Sequence, residues 1–509
     1  MNGAVGREPI SVPQPLDLRL LPTAAVGWAG VAGTILLGWR FGVVLAGVFG
    51  LAGIGLSWLL FRNRRRSART AVAALVAALL AGAGFAGAAA WQEHEVAGHP
   101  LARLAAGTTV TAEVVPTGDP KPLRTKAFGG RQWLVQVGLR EYRRGSEAVR
   151  AGGAVLVVGS GESWSTVLPG QPLRFRARVD RAWRRDLTVA VLRAQGTPVA
   201  VGAAPWWQRA AGSVRERLTE AAARALAPDA AGLLPGMVDG DVSRLPDEVY
   251  ENFRATDLAH LIAVSGTNVS IVLAAVLVSA RACTVDLRVA VALAAVALVA
   301  FVVLARPSPS VLRAAAMGGI AIVALVTGRR RQAFPALCAA VIGLLAYSPR
   351  LSLDVGFALS VSATAGLVLV APDWAHRLRE RGWPRMVAEA FAVATAAFLL
   401  TAPVIVGLTG HLAPTAILAN VLAEPVVAPI TVLGAVAAVV ACVWMPAAVF
   451  LLEVTGPLLR WLLTVAEEGA ALSVSVPLPT GVTGGVITAV AVALVVGVLH
   501  RSKPGRRPG

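Results

Sequence analysis

The sequence predicts a polytopic α-helical membrane protein that carries a small extracytoplasmic β-barrel of the OB type. Two observations predict the membrane part. The chain is 56% hydrophobic and only 15% charged over 509 residues, and its apolar runs recur near the ~20 residues that a membrane-spanning helix needs. A third observation predicts the barrel: between residues 91 and 205 the runs shorten, alternate with polar residues and are broken by Gly and Pro.

Three apolar runs, 21–38, 42–61 and 70–90, predict N-terminal transmembrane helices within residues 1–90. The second and third runs are separated by RNRRRSAR at 62–69, which has five arginines in eight residues. Because short cytoplasmic loops carry an excess of Arg and Lys, this loop is expected inside the cell. The third helix then leads outward, so the 91–205 domain is expected on the extracytoplasmic side.

Five segments of the 91–205 domain have the alternation of β-strands. They are TTVTAEVV from Thr108, RQWLVQVGLREY from Arg131, AVLVVG from Ala154, QPLRFRARVD from Gln171 and LTVAVLRA from Leu187. Five short strands at this spacing are typical of an OB-type barrel. The third segment is equally compatible with a buried strand of another β-sandwich.

The β domain is strongly basic. Residues 98–205 contain 16 Arg and Lys against 7 Asp and Glu, a net charge of +9, which the positive-inside rule does not explain for an external domain. Arg174, Arg176 and Arg178 fall on one strand face by the period of two. With Arg131 and Trp133 they are the candidate DNA contacts, because a basic groove with aromatic platforms binds single strands without sequence preference. Further aromatic residues lie among the basic ones: Tyr142, Trp164 and Trp183. The alternative is that the aromatics form the barrel core and the arginines face solvent or lipid headgroups.

Residues 206–256 do not form a membrane span. The segment begins with Trp206 and Trp207, which suit an interfacial anchor, on an amphipathic helix. Short helices interrupted by Pro and Gly follow, and they are expected at the mouth of the membrane domain. The acids from Asp239 to Glu251 could bind metal, but helix N-termini and surface loops explain such acids more often, so no metal or cofactor is expected.

The last part, 257–509, predicts a polytopic channel domain. Its candidate spans are 258–280, 287–305, 311–327, 333–348, 355–371, 387–409 and 482–500. The basic segments after Thr327 and from Asp373, and the basic C-terminal tail, are expected inside. Parity then requires 414–444 to begin and end outside, as a re-entrant or hairpin element with irregular backbone. The 446–480 region is expected to be interfacial.

Polar residues inside these apolar runs are the candidate channel lining, because polar groups in hydrocarbon need partners or water. One stretch, Asp257 to Ser279, concentrates them near its start. The candidates along the whole domain are His260, Ser265, Asn268, Arg313, Asp354, Asn420 and Glu424. For the charged members, buried ion pairs between helices are an equally good explanation.

Catalytic chemistry is not expected. His260 and Ser265 are five residues apart, about 140° around a regular helix, so they cannot pair as base and nucleophile there. The three lysines, Lys121, Lys126 and Lys503, do not end a P-loop. We therefore expect a protein that is not an enzyme.

Five motifs in one order resemble the ComEC family of competence proteins. They are GLLPGMVDGD from Gly232, LAHLIAVSGTNVSIV from Leu258, RPSPSVLRAAAM from Arg306, PRLSLDVGFALSVSATAGL from Pro349 and APTAILANVLAEP from Ala413. The resemblance implies an OB-like domain followed by a channel that passes one strand of DNA across the cytoplasmic membrane during natural transformation. It also implies a membrane DNA receptor and a cytoplasmic ATPase or helicase-like motor as partners.

The sequence departs from the family pattern at two points. Many members have a second histidine where this chain has Asn268. Many also carry a C-terminal metallo-β-lactamase-like domain thought to degrade the other strand, whereas this sequence stops at Gly509, so we expect that activity in another protein or not at all. The rival hypotheses are a small-solute or lipid transporter whose outer domain is a lid, and a membrane hydrolase acting through Ser265.

Overall fold

The computed structural model describes residues 17–62, 69–123, 131–262, 264–327 and 332–501. It opens with three apolar helices, α1 (Leu21–Leu37), α2 (Trp39–Arg62) and α3 (Arg69–Gly98). They pack closely: a Cβ on Gly42 would lie 2.3 Å from the Thr34 side chain. Of the basic segments on which the inside assignments rest, 63–68, 328–331 and 502–509 lie outside the described residues, whereas the segment from Asp373 is described.

Six strands follow α3. They are β1 (Thr109–Pro116), β2 (Lys121–Leu123), β3 (Gln132–Arg144), β4 (Glu147–Ser160), β5 (Leu173–Asp180) and β6 (Val191–Ala200). The hydrogen-bonded order is β1-β5-β6-β4-β3, and β3 pairs again with β1, so five strands close into a barrel with β2 added to β3. All pairs are antiparallel except β4 with β6. The predicted small, OB-like β-barrel is confirmed.

The barrel core follows from the alternation of the strands. Inward positions are apolar, and the largest side chains there are Trp133 and Trp164. Gly159 makes room for one of them, since a Cβ at this position would lie 2.3 Å from the Trp164 ring. Trp164 then meets Phe175 edge to face, with ring centroids 5.0 Å apart, a favourable aromatic geometry.

Three helices join the barrel to the membrane half: α4 (Trp206–Ala225), α5 (Pro228–Val238) and α6 (Asp247–Ala255). The amphipathic helix predicted from Trp206 is α4, and its apolar side packs on α5 and on two later helices, Thr415–Ala441 and Met445–Ala471. Gly236 of α5 lies against the chain at Ile262, where a Cβ would come within 2.4 Å of the carbonyl oxygen. Only glycine permits this approach.

The remaining helices form the membrane half. They are α7 (Ala259–Ile262), α8 (Gly266–Ala282), α9 (Leu287–Ala305), α10 (Pro309–Val326), α11 (Ala333–Tyr347), α12 (Val355–Leu369), α13 (Ala371–Glu380), α14 (Arg385–Thr409), α15 (Thr415–Ala441), α16 (Met445–Ala471) and α17 (Gly481–Arg501). A two-residue ladder of β7 (His411–Leu412) with β8 (Val476–Pro477) links the end of α14 to the start of α17.

The prediction of a re-entrant element at 414–444 is wrong. This segment forms one continuous helix, α15, in spite of Pro425 and Pro429, and the 446–480 region expected at the interface forms a second apolar helix, α16. The two pack against each other, and Trp461 Nε1 donates to the Leu422 carbonyl across 2.9 Å. Prolines are tolerated in such helices when neighbours compensate. A hairpin of two spans also returns the chain to its starting side, so the parity requirement is met without a re-entrant loop.

Among the described residues, eight helices are long and apolar enough to cross a membrane, and the pair α12 and α13, bent by 42°, makes a ninth if it is one span. Three shorter apolar helices, α1, α8 and α11, accompany them. The chain is therefore a multi-pass α-helical membrane protein with an OB-like barrel.

Candidate functional site

The outer face of β5 presents three arginines to solvent. Along this strand buried and exposed residues alternate, so Arg174, Arg176 and Arg178 point outward while their neighbours point into the core. Arg174 Nη2 lies 2.9 Å from Glu113 Oε2 on β1. Arg176 and Arg178 have no carboxylate partner in the described part of the chain, so this face can attract an anionic polymer.

Trp133 is placed differently from its predicted role. Its side chain is only 1% exposed and belongs to the barrel core, so the ring faces cannot stack on a nucleic-acid base. The exposed Arg131 guanidinium lies 5.7 Å from the ring centroid, which is cation–π distance. Trp133 thus packs the barrel, as the alternative explanation of the aromatics proposed. Tyr142 and Trp164 are buried in the same core.

Among the described aromatic residues of the barrel, Trp183 is the one that reaches solvent, with 51% exposure. It lies in the 181–190 loop between β5 and β6, beside the exposed Arg184 and Arg185. In OB folds, the loop between the last two strands is one of those that bind oligonucleotides. Sequence reasoning noticed Trp183 but did not select it. The signal that could have done so is the density of arginine around this one tryptophan.

The 181–190 loop also touches the membrane half. Arg185 Nη1 donates to the Leu36 carbonyl of α1 across 3.3 Å. From the turn before α12, Arg350 donates to the Asp186 carbonyl (3.1 Å) and to Thr188 Oγ1 (2.9 Å). A cavity of about 230 Å³ opens between this loop, α1 and α3. The basic loop therefore sits directly on the membrane helices.

The polar stretch from Asp257 is a broken helix. α7 ends at Ile262 and α8 begins at Gly266, with Ser265 as its N-cap. Ser265 Oγ donates to Asn268 Oδ1 (3.0 Å) and accepts from the Asn268 backbone N–H (3.3 Å). Ser265 and Asn268 are thus in contact, but through a cap and not along one regular helix face. The serine proton is directed to Asn268, whereas the exposed His260 bonds the Asp257 carbonyl at 3.0 Å.

Asn268 ties this break to the mouth helices. It is 3% exposed, and its Nδ2 donates to the Met237 carbonyl of α5 across 2.8 Å. An amide that both donates and accepts satisfies both neighbours, Ser265 and the Met237 carbonyl, at once. This role does not require an ionisable side chain.

Arg313 is a buried cation beside the break. It is 6% exposed on α10; its Nε donates to Ser360 Oγ of α12 (2.8 Å), and Nη1 lies 3.4 Å from Met317 Sδ. Its Nη2 faces Gly266, where a Cβ would lie only 2.5 Å away. Among the described residues no carboxylate pairs with it. An unneutralised guanidinium inside a membrane protein marks a functional position more often than a structural one.

The other predicted channel residues do not gather around Arg313. Asp354 caps α12, its Oδ1 accepting from the Phe357 N–H at 2.7 Å. Asn420 donates to the Ala416 carbonyl of its own helix at 2.8 Å, and Glu424 lies on an exposed face of α15. α12 itself is half-buried over most of its length, with Phe357 and Gly366 as its fully buried positions. The structure thus brings together Ser265, Asn268 and Arg313, but not Asp354, Asn420 and Glu424.

A group of four charged residues, here called the junction cluster, joins the barrel to the membrane half. Its members are Asp119 after β1, Arg215 on α4, Asp239 after α5 and Arg306 after α9. Arg215 Nη1 lies 2.9 Å from Asp119 Oδ2, Arg306 Nε lies 3.3 Å from Asp119 Oδ1, and Arg215 Nε lies 4.0 Å from Asp239 Oδ1. Sequence reasoning could not find this cluster, because its members are far apart in the chain.

Burial shifts the pKa values of two residues in the junction cluster. Asp239 is 1% exposed, and this burial raises the pKa of its carboxyl to about 7, against the opposing attraction of Arg215. Burial likewise lowers the pKa of Arg306, while Asp119 opposes that effect. The opposite charges of the cluster thus offset part of the cost of burying one another.

Comparison with known proteins identifies the membrane half. A family model described as Competence protein matches residues 237–504, more than half of the chain. The chain is 29% identical over 157 residues to ComE operon protein 3 of Bacillus subtilis (strain 168), and this alignment covers 31% of the chain and 20% of that relative. No solved structure matches. On the family match, which includes the α7–α8 break, Arg313 and α15, the chain belongs to the competence protein (ComEC) family.

Proposed function

We propose that the protein is a channel in the cytoplasmic membrane that passes single-stranded DNA into the cytoplasm during natural transformation. The observation that carries the proposal is Arg313, a buried guanidinium among membrane helices with no carboxylate partner in the described residues. Such a charge is costly in hydrocarbon. A phosphodiester strand would supply the missing anion.

The rest of the path supports the same function. The barrel, which we place on the extracytoplasmic side, offers the outward-facing Arg176 and Arg178 and an exposed Trp183 beside further arginines. Base stacking and phosphate attraction are the two interactions that hold single strands. From the barrel, the junction cluster and the polar break at Ser265 and Asn268 lead to Arg313. We propose that the protein is not an enzyme and that it relies on a membrane DNA receptor and a cytoplasmic ATPase or helicase-like motor.

Deletion of the gene in a naturally transformable host tests this function. DNA should still bind the cell surface in a nuclease-sensitive form, but its entry into the cytoplasm should be lost, and the wild-type gene should restore entry. Normal transformation of the deletion strain would overturn the proposal. A small-solute or lipid transporter would instead show substrate flux in liposomes and no salt-dependent binding of single strands.

A further inference from the structure

The junction cluster holds one carboxylate between two arginines. Asp119 gives one oxygen to each of them, Oδ2 to Arg215 and Oδ1 to Arg306. Two guanidinium groups that converge on a single anion also form the common arrangement for binding a phosphate group. The position of the Asp119 carboxylate is therefore one that a phosphodiester could take.

The two arginines are fixed by other contacts. Arg215 is 8% exposed and Nη1 also donates to the Leu304 carbonyl at 3.2 Å, whereas Arg306 is 6% exposed and donates from Nη1 to Gln208 Oε1 at 2.6 Å. Arg306 also has a φ of +63°, a strained conformation for a residue with a side chain. Both cations would keep their positions if Asp119 moved away.

Asp119 is the least restrained member. Its side chain is 28% exposed, and it lies in the irregular segment between β1 and β2, away from the strand ladders. Its two partners, Arg215 on α4 and Arg306 after α9, both lie outside the barrel. Of the four charged groups, this carboxylate can leave with the smallest change in the surrounding packing.

The cluster adjoins the polar break. Gly240, next to Asp239, lies where a Cβ would be 3.4 Å from the Ala305 carbonyl and 3.6 Å from Val264 Cγ2. The Met237 carbonyl, two residues before Asp239, accepts from Asn268. An anion that replaced Asp119 would thus lie at the entrance to the segment that leads to Arg313.

We propose that Arg215 and Arg306 form a phosphodiester-binding clamp that Asp119 occupies at rest, and that an incoming strand displaces this carboxylate. The inference rests on the proposed function and adds to it a specific entry site. Displacement would exchange one anion for another between the same two cations, so the clamp would remain neutralised throughout. It would also free the barrel segment that carries Asp119 from the membrane half.

The clamp can be tested by equilibrium binding of a fluorescein-labelled oligothymidylate to the full-length protein in detergent. Asp119→Asn removes the resident anion and leaves both arginines charged, so binding should tighten by about tenfold, since hydrogen bonds to a charged group are strong. The matched control is Glu162→Gln, which removes an exposed acid from the same barrel and should change affinity by less than about twofold. In the double variants Asp119→Asn/Arg215→Gln and Asp119→Asn/Arg306→Gln, the gain should vanish.

Two results would overturn the clamp. One is an affinity of Asp119→Asn equal to that of Glu162→Gln while the wild type binds the oligonucleotide; this would leave the proposed function intact. The other is a gain that persists in both double variants. Absence of binding by every variant, including the wild type, would count against the proposed function as well.

A second measurement keeps Asp119 in place. Pro120→Cys, made after Cys283, Cys338 and Cys442 are replaced by alanine, puts a thiol next to the clamp carboxylate. If a strand displaces Asp119, maleimide labelling should be faster with oligothymidylate than without it. An unchanged rate under saturating oligonucleotide would contradict displacement, even if Asp119→Asn proved too unstable to purify.

Discussion

The arginines of β5 and the arginine of α10 carry the same charge in opposite surroundings. Arg176 and Arg178 stand on the outside of the barrel, where water and salt screen them. Arg313 is buried among helices, bonded to a serine hydroxyl and a methionine sulfur. The exposed arginines cost little to maintain and can only give weak, salt-dependent attraction. The buried one is costly, and this cost is what points to a role in transport.

The largest effect is expected from Arg313→Gln. Removing the charge should lower DNA uptake up to about a hundredfold, because a passing phosphate loses a charge-assisted hydrogen bond worth about 1.5–3 kcal/mol. The melting temperature should stay the same or rise, since the variant loses an uncompensated buried charge. Transformation frequency and thermal unfolding in detergent measure the two quantities.

The control for Arg313→Gln is Arg288→Gln, the same change at an exposed position near the start of α9. It should transform normally. Equal losses of transformation in both variants would mean that the total charge of the protein matters and the buried position of Arg313 does not. The distinction between buried and exposed arginines would then fail.

The next effect concerns Trp133 and Trp183 of the barrel domain. Trp183→Ala should weaken oligothymidylate binding about tenfold, because one stacked base contributes about 1–3 kcal/mol. Trp133→Phe should leave affinity unchanged and lower stability, since the ring fills the core. Binding titrations and thermal unfolding of the full-length protein separate the two. Weaker binding by Trp133→Phe alone would restore the role predicted from the sequence.

Gly266→Ala tests whether the placement of Arg313 matters in addition to its charge. The new Cβ would lie 2.5 Å from Nη2, so the guanidinium, as the end of a long side chain, would have to shift away from the break. Uptake should fall by less than in Arg313→Gln, by about fivefold. Gly319→Ala on α10 is the matched control, because a Cβ there meets nothing within 4 Å. A loss in Gly319→Ala as large as in Gly266→Ala would refute the steric explanation.

An effect of similar size is expected at the exposed arginines. Replacing Arg174, Arg176 and Arg178 together by Gln should reduce affinity for single strands about fivefold at low salt, and the difference should shrink at high salt. The salt slope should become shallower by about 0.7 for each phosphate that the protein no longer neutralises. The same triple change at Arg140, Arg144 and Arg150 of β3 and β4 is the control of equal charge. Equal salt slopes for the two triple variants would show that the β5 face contributes no more to DNA binding than another basic surface of the barrel.

The smallest effect is a pH dependence of stability. The folded pKa of Asp239 is raised to about 7 from an ordinary value of 3.8, so the native state keeps a proton that the unfolded chain has already lost. Stability from this group is present at low pH and is lost as the pH rises through about 7. The wild type should melt progressively lower between about pH 4 and pH 7 and level off above that range, and Asp239→Asn should lose this part of the slope. Asp229→Asn, at an exposed acid in the first turn of α5, serves as control; a wild-type slope that is unchanged in Asp239→Asn would contradict the assignment.

Much of the fold could be predicted from periodicity alone. The strands of the barrel and the first three helices follow local patterns, and the alternation of β5 placed its three arginines on one face. The α15–α16 hairpin was missed because prolines signal a break in the local sequence, whereas packing between the two helices keeps α15 continuous. In such cases tertiary contacts override the local helix propensity.

The candidate site was harder to predict, because it depends on contacts between distant residues. Ser265, Asn268 and Arg313 were selected as polar residues in apolar runs, and the structure places them together. Trp133 and Trp183 look alike in sequence, and only the closed barrel shows which ring is buried. Asp119, Arg215 and Arg306 come from three different elements, so no local spacing could have revealed that they meet.

The most direct test of the channel is photo-crosslinking to DNA during uptake. A photoreactive benzoylphenylalanine at position 360, where Ser360 contacts Arg313, should form an adduct with the incoming strand in transforming cells, and the adduct should disappear with Arg313→Gln. The same group at position 178 on the barrel should crosslink in both backgrounds. Adducts from position 178 with none from position 360, in cells that transform normally, would show that DNA crosses the membrane by another route.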